Sequence, residues 1–488
     1  MERFFLLIIS IIATGSVSGQ LFKNLNFQQT CDTSKTGFCF WDQSWGAKKS
    51  CIPAQSGNNL YLSISGAKEN SVGFVEQTVL LKKKKGLQVI ELSAKINSEN
   101  IEGKGAGLNI GIYDDKGTLI ATKDMGGFYS VTWLKGTSSW KKYTINIVCP
   151  EDAAKIKIGA ILYGKGSAGF DDYTIKFSSL KGRKASPLAI KYITAVCDTI
   201  SKHSLVRDSI DIIKLKSTAL QIAGSAKNYR DCHLAVEYLI ESLRAYGDHH
   251  SFLMKPEEVL AWQRNTNGGA VHFPQWKIID HCGYILVPPF HSGDEKLSQA
   301  YSDSLQAILK KLDPEDIRGW IVDLRENTGG NMSPMIAGLG PLFNQEQLGS
   351  LVDVNNKSES WYYKNGTYDW EQEKIITVTN PVNLSKHLPI AVLTSSQTGS
   401  SGETVVISFI GNQNTKSFGQ ATWGLTTGNG SYDLIDGARI MLASTIMADR
   451  NGRLYHEAIQ PDVRIEKNSK TNEDLEIKAA VNWIVQKQ

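Results

Sequence analysis

The first third of the chain alternates short apolar runs with turn-forming residues. Apolar or alternating runs at residues 60–64, 88–92, 108–112 and 142–147 are separated by stretches rich in Gly, Asn, Ser and Lys. Short strands at turn-separated spacing are typical of an antiparallel β-sandwich. The pattern therefore predicts an all-β domain over residues 20–180.

The pattern changes after a polar, basic stretch at residues 178–187, which has the composition of an interdomain linker. Apolar positions then recur at helical spacing, on one side of a first helix from Leu188 to Val196 and again within residues 210–222 and 232–246. We therefore predict a short helical segment over residues 185–252.

Strands and helices alternate in the remainder of the chain. Buried strands are predicted at residues 283–287, 320–324 and 390–394, and a helical run occupies residues 297–312 between the first two. This alternation indicates an α/β domain. The predicted fold is thus multidomain, with the α/β core covering residues 253–488.

The N-terminus predicts export. Glu2 and Arg3 precede an apolar run at residues 4–13, and small residues follow at 17–19. This is the layout of a cleavable signal peptide over residues 1–19, because the run is shorter than the ~20 residues that span a bilayer. No later run is long and apolar enough to anchor the chain. We expect a periplasmic, cell-surface or secreted protein with no transmembrane anchor after signal cleavage.

Charge and cysteine content exclude several classes of function. The chain has 53 basic and 49 acidic residues and a net charge of +4, which argues against a nucleic-acid partner. The lysine run at residues 82–85 is expected to be a solvated turn. The number of cysteines is seven, and Cys31, Cys39 and Cys51 are close enough to permit a disulfide in an oxidising compartment. No CxxC motif occurs, so a structural zinc site is not expected.

The predicted β-domain ends in a strand at residues 168–175 that resembles the closing strand of a jelly-roll carbohydrate-binding module. The tryptophans of the predicted β-domain are candidates for stacking on a sugar. They could equally pack in the core or at its rim, and we favour this second interpretation. They are Trp41, Trp45, Trp133 and Trp140.

A serine at a strand-to-helix turn is the most specific chemical signal. Residues 393–407 read as a buried strand, a turn of small residues containing Ser400, and an apolar helix. A serine at a helix N-terminus lies beside free backbone N–H groups and a positive dipole end, which would stabilise an oxyanion. Ser400 and Glu403 also fit a capping box, so a purely structural role stays open.

His250 is the best candidate base for that serine, since residues 248–251 follow a predicted helix and are too polar for a core. The adjacent pair His249 and His250 raises the alternative of a metal site. Neighbouring side chains on an extended chain point to opposite sides, and no ligand stands at i, i+4 spacing. We therefore expect neither a metal nor a cofactor.

A glycine turn supplies a third element. Residues 322–331 form a strand that runs into Gly329 and Gly330, whose backbone amides can approach a ligand without steric obstruction. A phosphate loop is the competing interpretation, but no Gly-Lys-Ser/Thr follows. Asp323 and Arg325 are expected to be an ion pair at the strand end.

Five ordered motifs resemble the C-terminal processing, or tail-specific, serine peptidase family, in the branch closer to the tricorn core protease. The resemblance covers about residues 185–488, and it implies a crotonase-like α/β core of ββα units behind the jelly-roll domain. It also implies Ser400 rather than Ser401 as nucleophile, with an oxyanion hole from the backbone N–H groups of Gly330 and Ser401. The motifs lie at residues 248–251, 323–330, 398–403, 419–428 and 459–463.

Two departures from the family pattern refine this interpretation. Leu425 stands where processing peptidases carry a catalytic lysine, so the resemblance points to the tricorn-like arrangement with His250 as base. Too few residues separate His250 from the strand near residue 283 for a PDZ-like domain. The resemblance assigns Glu457 as the residue that orients His250, with His249 and Asp436 as alternatives.

The sequence thus predicts a serine peptidase that hydrolyses peptide bonds of a peptide or protein substrate through an acyl-enzyme. The β-domain is hypothesised to bind a glycan or an envelope surface. A non-catalytic ligand-binding protein on the same fold and an esterase remain the alternative functions.

Overall fold

The structure, a computed structural model, divides the chain into two compact units. The first unit contains the described residues up to Leu180, and the second contains those from Lys184 onward. The predicted signal peptide and the lysine run at 82–85 lie outside the described residues. In the described ranges, no helix is long and apolar enough to cross a membrane. These ranges are residues 22–45, 50–68, 71–81, 86–126, 133–180, 184–224, 226–264, 271–313, 316–466 and 473–487.

In its described residues, the first unit contains eight paired strands, and every pair among them is antiparallel. The prediction of a largely β N-terminal region is confirmed. The strand order is β1-β4-β8-β3-β2, and β5 pairs with β6, β7 and β8. The strands are β1 (Asp42–Trp45), β2 (Cys51–Ser56), β3 (Asn59–Gly66), β4 (Val72–Leu80), β5 (Gln88–Tyr113), β6 (Leu119–Asp124), β7 (Leu134–Cys149) and β8 (Lys155–Ser179).

One of these strands, β5, is longer than the sequence pattern indicates. The predicted strands at residues 88–92 and 108–112 are parts of the single strand β5. Gly103 and Gly105 have φ of 94° and 125°, conformations open mainly to glycine, so the chain bends there without leaving the sheet. The polar, glycine-containing stretch between the two apolar runs is a bend within β5 and not a turn between strands.

The core of the first unit contains Trp41, which is fully buried. Its ring centroid lies 4.9 Å from that of Phe27 and 5.0 Å from that of Tyr173. Trp133 is also buried, whereas Trp140 is partly buried and packs edge-on against a tyrosine. Trp41 and Trp133 therefore lie among core residues.

One disulfide closes the N-terminal loop of the first unit. It joins Cys31 to Cys39, and Cys51 is a buried thiol whose pKa is raised by burial. The other cysteines are buried thiols as well.

The second unit begins with three helices, and side chains cap the N-termini of the first two. The Ser186 hydroxyl accepts the Ala189 amide and Pro187 takes the first helical position, both favourable at a helix start. Asp211 caps the second helix in the same way. The helices are α1 (Pro187–His203), α2 (Ile212–Ala223) and α3 (His233–Leu243).

A six-stranded sheet forms the centre of the second unit. Its order is β10-β11-β12-β17-β18-β22, with all neighbours parallel except β10 and β11. All five residues of β12 are buried, Trp320 and Ile321 among them, as expected for a parallel strand covered on both faces. The strands are β10 (Gln275–Ile279), β11 (Cys282–Leu286), β12 (Gly319–Asp323), β17 (Ile390–Thr394), β18 (Thr415–Gly419) and β22 (Val463–Arg464).

An eight-stranded antiparallel sheet completes the second unit. Its order is β16-β15-β14-β13-β20-β19, and β9 and β21 also pair with β20. The strands are β9 (Phe252–Met254), β13 (Gln347–Asp353), β14 (Ser358–Lys364), β15 (Thr367–Trp370), β16 (Glu373–Thr377), β19 (Thr427–Asp433), β20 (Arg439–Asp449) and β21 (Leu454–Tyr455). The remaining helices are α4 (Pro256–Arg264), α5 (Glu295–Leu312), α6 (Met332–Leu339), α7 (Ser401–Phe409) and α8 (Leu475–Gln486).

Candidate active site

Ser400 lies in the turn between the carboxyl end of β17 and the start of α7. Its backbone has φ 52° and ψ −121°, which non-glycine residues rarely adopt and which costs about 1–3 kcal/mol. A sharp, strained strand-to-helix turn of this kind exposes a serine hydroxyl above a sheet. The surrounding structure must therefore hold the turn in place.

Glu403 is the group that holds the turn. Its fully buried carboxylate accepts the Ser400 amide at 2.8 Å, the Thr422 hydroxyl at 2.5 Å and the Gly424 amide at 2.9 Å. Burial raises the pKa of Glu403, and these hydrogen bonds oppose that effect. The carboxylate thus ties the serine turn to residues 422–424.

His250 is held in place by Asp248. The Asp248 carboxylate accepts the backbone amides of His250 at 3.1 Å and of Ser251 at 2.9 Å. The Ser251 hydroxyl donates to the same carboxylate and accepts the Ala443 amide of β20 at 2.8 Å. The segment that carries His250 is therefore fixed to the antiparallel sheet.

The imidazole of His250 lies between two hydroxyl groups. Its Nε2 is 2.9 Å from Ser400 Oγ, and its Nδ1 is 2.9 Å from Thr427 Oγ1 at the start of β19. If Nε2 is to accept the serine proton, Nδ1 must carry a hydrogen, which Thr427 Oγ1 can accept. The Asn429 side-chain amide also donates to the His250 carbonyl at 3.1 Å.

The environment of His250 favours the neutral imidazole. Desolvation by burial lowers its pKa to about 4, against the opposing effects of the Asp248 charge and a hydrogen bond to the backbone of Thr427. A neutral imidazole is the form that can accept a proton. The side chain is therefore in its basic form at neutral pH.

Gly329 and Gly330 lie directly against the serine turn. Both have positive φ, of 102° and 110°, and a Cβ at Gly329 would stand 2.9 Å from Ser400 Cβ. The Ser401 hydroxyl donates to the Gly330 carbonyl at 2.6 Å, which links the two loops. Within the described part of the chain, neither the Gly330 amide nor the Ser401 amide donates a hydrogen bond. Two free amides near a nucleophile are what an oxyanion requires.

Glu457, which the family resemblance assigns as the partner of His250, is not bonded to the imidazole. It is exposed, and its backbone carbonyl accepts the Thr426 hydroxyl at 3.3 Å. The place it was expected to fill, at Nδ1, is occupied by Thr427, which β19 brings there. We therefore correct the assignment of Glu457 as the orienting group.

The two alternatives to Glu457 are engaged elsewhere. His249 Nδ1 contacts an arginine at 3.4 Å. Asp436 accepts the Tyr192 hydroxyl at 2.8 Å and lies 2.7 Å from His233 Nε2. Neither side chain is bonded to His250. Thr427 lies within the 419–428 motif, but nothing in the sequence distinguishes it from the adjacent Thr426.

Asp323 and Arg325 form an ion-pair network at the end of β12. Arg325 contacts Asp323 at 2.6 Å, Glu476 at 2.5 Å and Asp474 at 2.9 Å, which joins the strand end to the start of α8. The Tyr284 hydroxyl donates to Asp323 at 2.7 Å. These contacts join β11, β12 and the start of α8, and none of them involves Ser400 or His250. Across the described ranges, no group of three or more His, Cys, Asp or Glu side chains is arranged to hold a metal ion.

Comparison with known proteins supports the peptidase assignment. Residues 281–465 match peptidase family S41. A nisin-resistance protein from Lactococcus lactis subsp. lactis is 28% identical over 299 residues, which are 61% of this chain and 87% of that protein. The structure of a lipoprotein from Streptococcus agalactiae is 28% identical, covers 62% of this chain and 98% of its own, and superposes with a TM-score of 0.51.

Proposed function

We propose that this chain is a serine peptidase of family S41 and that it hydrolyses peptide bonds through an acyl-enzyme on Ser400 with His250 as general base. The observation that carries the proposal is the 2.9 Å contact between His250 Nε2 and Ser400 Oγ. It occurs at a strained turn beside the Gly330 and Ser401 amides, which donate no hydrogen bond to any described residue, so base, nucleophile and candidate oxyanion donors lie in one region.

The reaction begins when His250 Nε2 takes the Ser400 proton and Oγ attacks the carbonyl carbon of the substrate. The Gly330 and Ser401 amides donate to the oxyanion as it forms. The imidazolium then gives its Nε2 proton to the leaving amine, and a water molecule, activated by the same nitrogen, hydrolyses the ester. Every proton in this sequence passes through Nε2.

Thr427 is proposed as the positioning residue for His250. Its hydroxyl accepts from Nδ1–H, which selects the tautomer with a free Nε2 and fixes the plane of the ring. A carboxylate in this place would stabilise the imidazolium by its charge, and a hydroxyl gives only a neutral hydrogen bond. The charge of the Asp248 carboxylate raises the His250 pKa, but this carboxylate is bonded to the His250 backbone amide and not to the ring.

The cellular location and the role of the first unit are proposals as well. The apolar N-terminus predicts export, and one relative is a lipoprotein while another is named for resistance to nisin. We infer that the chain acts outside the cytoplasm on peptide or protein substrates. The first unit would hold the enzyme on a glycan or an envelope surface.

A fluorophosphonate probe tests the catalytic assignment. We expect the purified protein to be labelled, and Ser400→Ala and His250→Ala to lose labelling. Ser401→Ala should still be labelled, because its amide remains. No labelling of folded wild-type protein would contradict the proposal. Cleavage assays then compare peptides, including nisin, with small esters. Preferential cleavage of peptides indicates a peptidase, and preferential cleavage of esters indicates an esterase.

A further inference from the structure

Trp423 is an exposed tryptophan at the edge of the active site. Half of its surface, 52%, is accessible to solvent, although tryptophan is usually well buried. It lies in the segment that Glu403 ties to the serine turn, and no role in the proposed reaction has been assigned to it. An exposed aromatic side chain in such a position calls for an explanation in terms of binding.

The backbone of Trp423 is rigidly attached to the nucleophile turn. Its amide donates to the Thr398 carbonyl at 2.8 Å. The residues on either side, Thr422 and Gly424, both donate to the Glu403 carboxylate. The same carboxylate accepts the Ser400 amide, so the tryptophan and the nucleophile share one buried anchor.

The side chain of Trp423 packs on Gly399, the residue immediately before the nucleophile. A Cβ built on Gly399 would lie 3.3 Å from both Cβ and Cε3 of Trp423. Because Gly399 has no side chain, nothing at that position separates the indole from the serine turn. The indole therefore forms a flat, apolar surface beside the turn that carries the nucleophile.

We propose that Trp423 is a specificity-determining residue that contacts an apolar or aromatic side chain of the substrate next to the scissile bond. This inference rests on the proposed function and adds a substrate class to it. An indole already held in place loses little conformational freedom on binding, and aromatic and aliphatic side chains gain by covering its face. Glycine gains little there, and a charged side chain would be desolvated without a partner.

The cleavage profile of a proteome-derived peptide mixture, determined by mass spectrometry, is the first measurement. We expect wild-type protein to favour Phe, Leu or other large apolar residues on one side of the cleaved bond. Two matched peptides, with Phe or Gly at that position, then give a ratio of kcat/KM values. Trp423→Ala should lower this ratio by about 10-fold or more, since losing apolar contact in a binding site costs 10-fold to 200-fold.

Matched variants make the result specific to the indole. Trp423→Phe should keep most of the ratio, and Trp423→Leu tests whether apolar volume alone is sufficient. Trp276→Ala is the control, because Trp276 is 38% exposed but lies on the edge strand β10. We expect this control to leave the ratio unchanged. The ratio is taken within each variant, so a general loss of activity cancels.

Fluorophosphonate labelling of Ser400 distinguishes failure of this inference from failure of the proposed function. If wild-type protein is labelled and cleaves peptides but Trp423→Ala leaves the Phe-to-Gly ratio unchanged, the role of Trp423 is wrong and the catalytic assignment stands. A wild-type cleavage profile without enrichment of apolar residues would also contradict the role of Trp423, and the catalytic assignment would again stand. If folded wild-type protein is not labelled, both proposals fall.

Discussion

The strain at Ser400 determines where the reactive hydroxyl points. Positive φ at a residue with a side chain is retained only where neighbouring contacts hold it. Here the Glu403 carboxylate accepts the Ser400 amide, and Nε2 of His250 lies within hydrogen-bond distance, 2.9 Å, of the Ser400 hydroxyl oxygen. Backbone and side chain are therefore fixed by two different groups, and the hydroxyl is positioned before any substrate arrives.

The low pKa of His250 gives a pH profile that distinguishes it from an ordinary histidine. The active form is neutral, so activity is present above the folded-state pKa and is lost as the pH falls through it. With a pKa of about 4, the rate of fluorophosphonate labelling should stay level from pH 8 to about 5.5. A histidine with the usual value of about 6.5 would retain only about a tenth of its rate at pH 5.5. Circular dichroism at each pH serves as the control for folding.

The hydroxyl of Thr427 should matter more than its volume. Thr427→Val keeps the shape and β-propensity of the residue but removes the acceptor for His250 Nδ1–H. We expect kcat/KM to fall about 10-fold or more, because the wrong tautomer becomes accessible. Thr427→Ser keeps the hydroxyl and should retain most of the activity. Equal losses in the two variants would instead indicate a packing role.

Some of these residues can be identified from the sequence alone, and others cannot. Ser400 stands out because a run of small residues between a strand and a helix is a local signal, and His250 because its neighbours are too polar for a core. Thr427 gives no such signal, since its role depends on β19 bringing it to an imidazole far away in sequence. The family resemblance assigns Glu457 as the partner of His250, whereas β19 places Thr427 at His250 Nδ1.

The glycine loop after β12 leaves room for the serine turn, and one substitution tests this. In Gly329→Ala, the new Cβ would lie 2.7 Å from the Gly399 carbonyl and 2.9 Å from Ser400 Cβ. We expect fluorophosphonate labelling to slow by at least about 10-fold, because misplacement by about 1 Å can cost about 100-fold.

Gly452→Ala is the matched control for that experiment. Gly452 has φ +81°, and a Cβ there would meet nothing within 4 Å. The substitution should cost about 1–2 kcal/mol of unfolding free energy from backbone strain and leave the labelling rate unchanged. If Gly452→Ala slowed labelling as much as Gly329→Ala, the effect would be general destabilisation.

Helices and strands can be predicted from the sequence where a segment has one clear pattern of apolar residues. The apolar run at residues 390–394 coincides with β17, and the run at 297–312 lies within α5. The sequence pattern divides the long strand β5 into separate strands, because a glycine-rich bend and a true turn have the same composition. Deciding between them requires the partner strand: β8 runs antiparallel beside β5 on both sides of the bend.

The second unit should act as an enzyme without the first. Its own core includes large buried side chains such as Tyr301, Trp320 and Trp361, and each group of the proposed catalytic site lies after residue 184. We expect residues 184–488, produced alone, to fold cooperatively and to react with a fluorophosphonate at a rate close to that of the full chain. Loss of labelling in a folded fragment would assign the first unit a role in the chemistry.

His250 lies before residue 281, where the match to peptidase family S41 begins, while Gly330, Ser400 and Thr427 lie inside it. The base is carried by the segment between α3 and β9, which the match does not include. A related chain that kept the matched region but lost this histidine would be assigned to the family just as readily, although it would lack the proposed proton acceptor. Sorting active enzymes from inactive relatives in a genome therefore requires inspection of the residues upstream of the matched region.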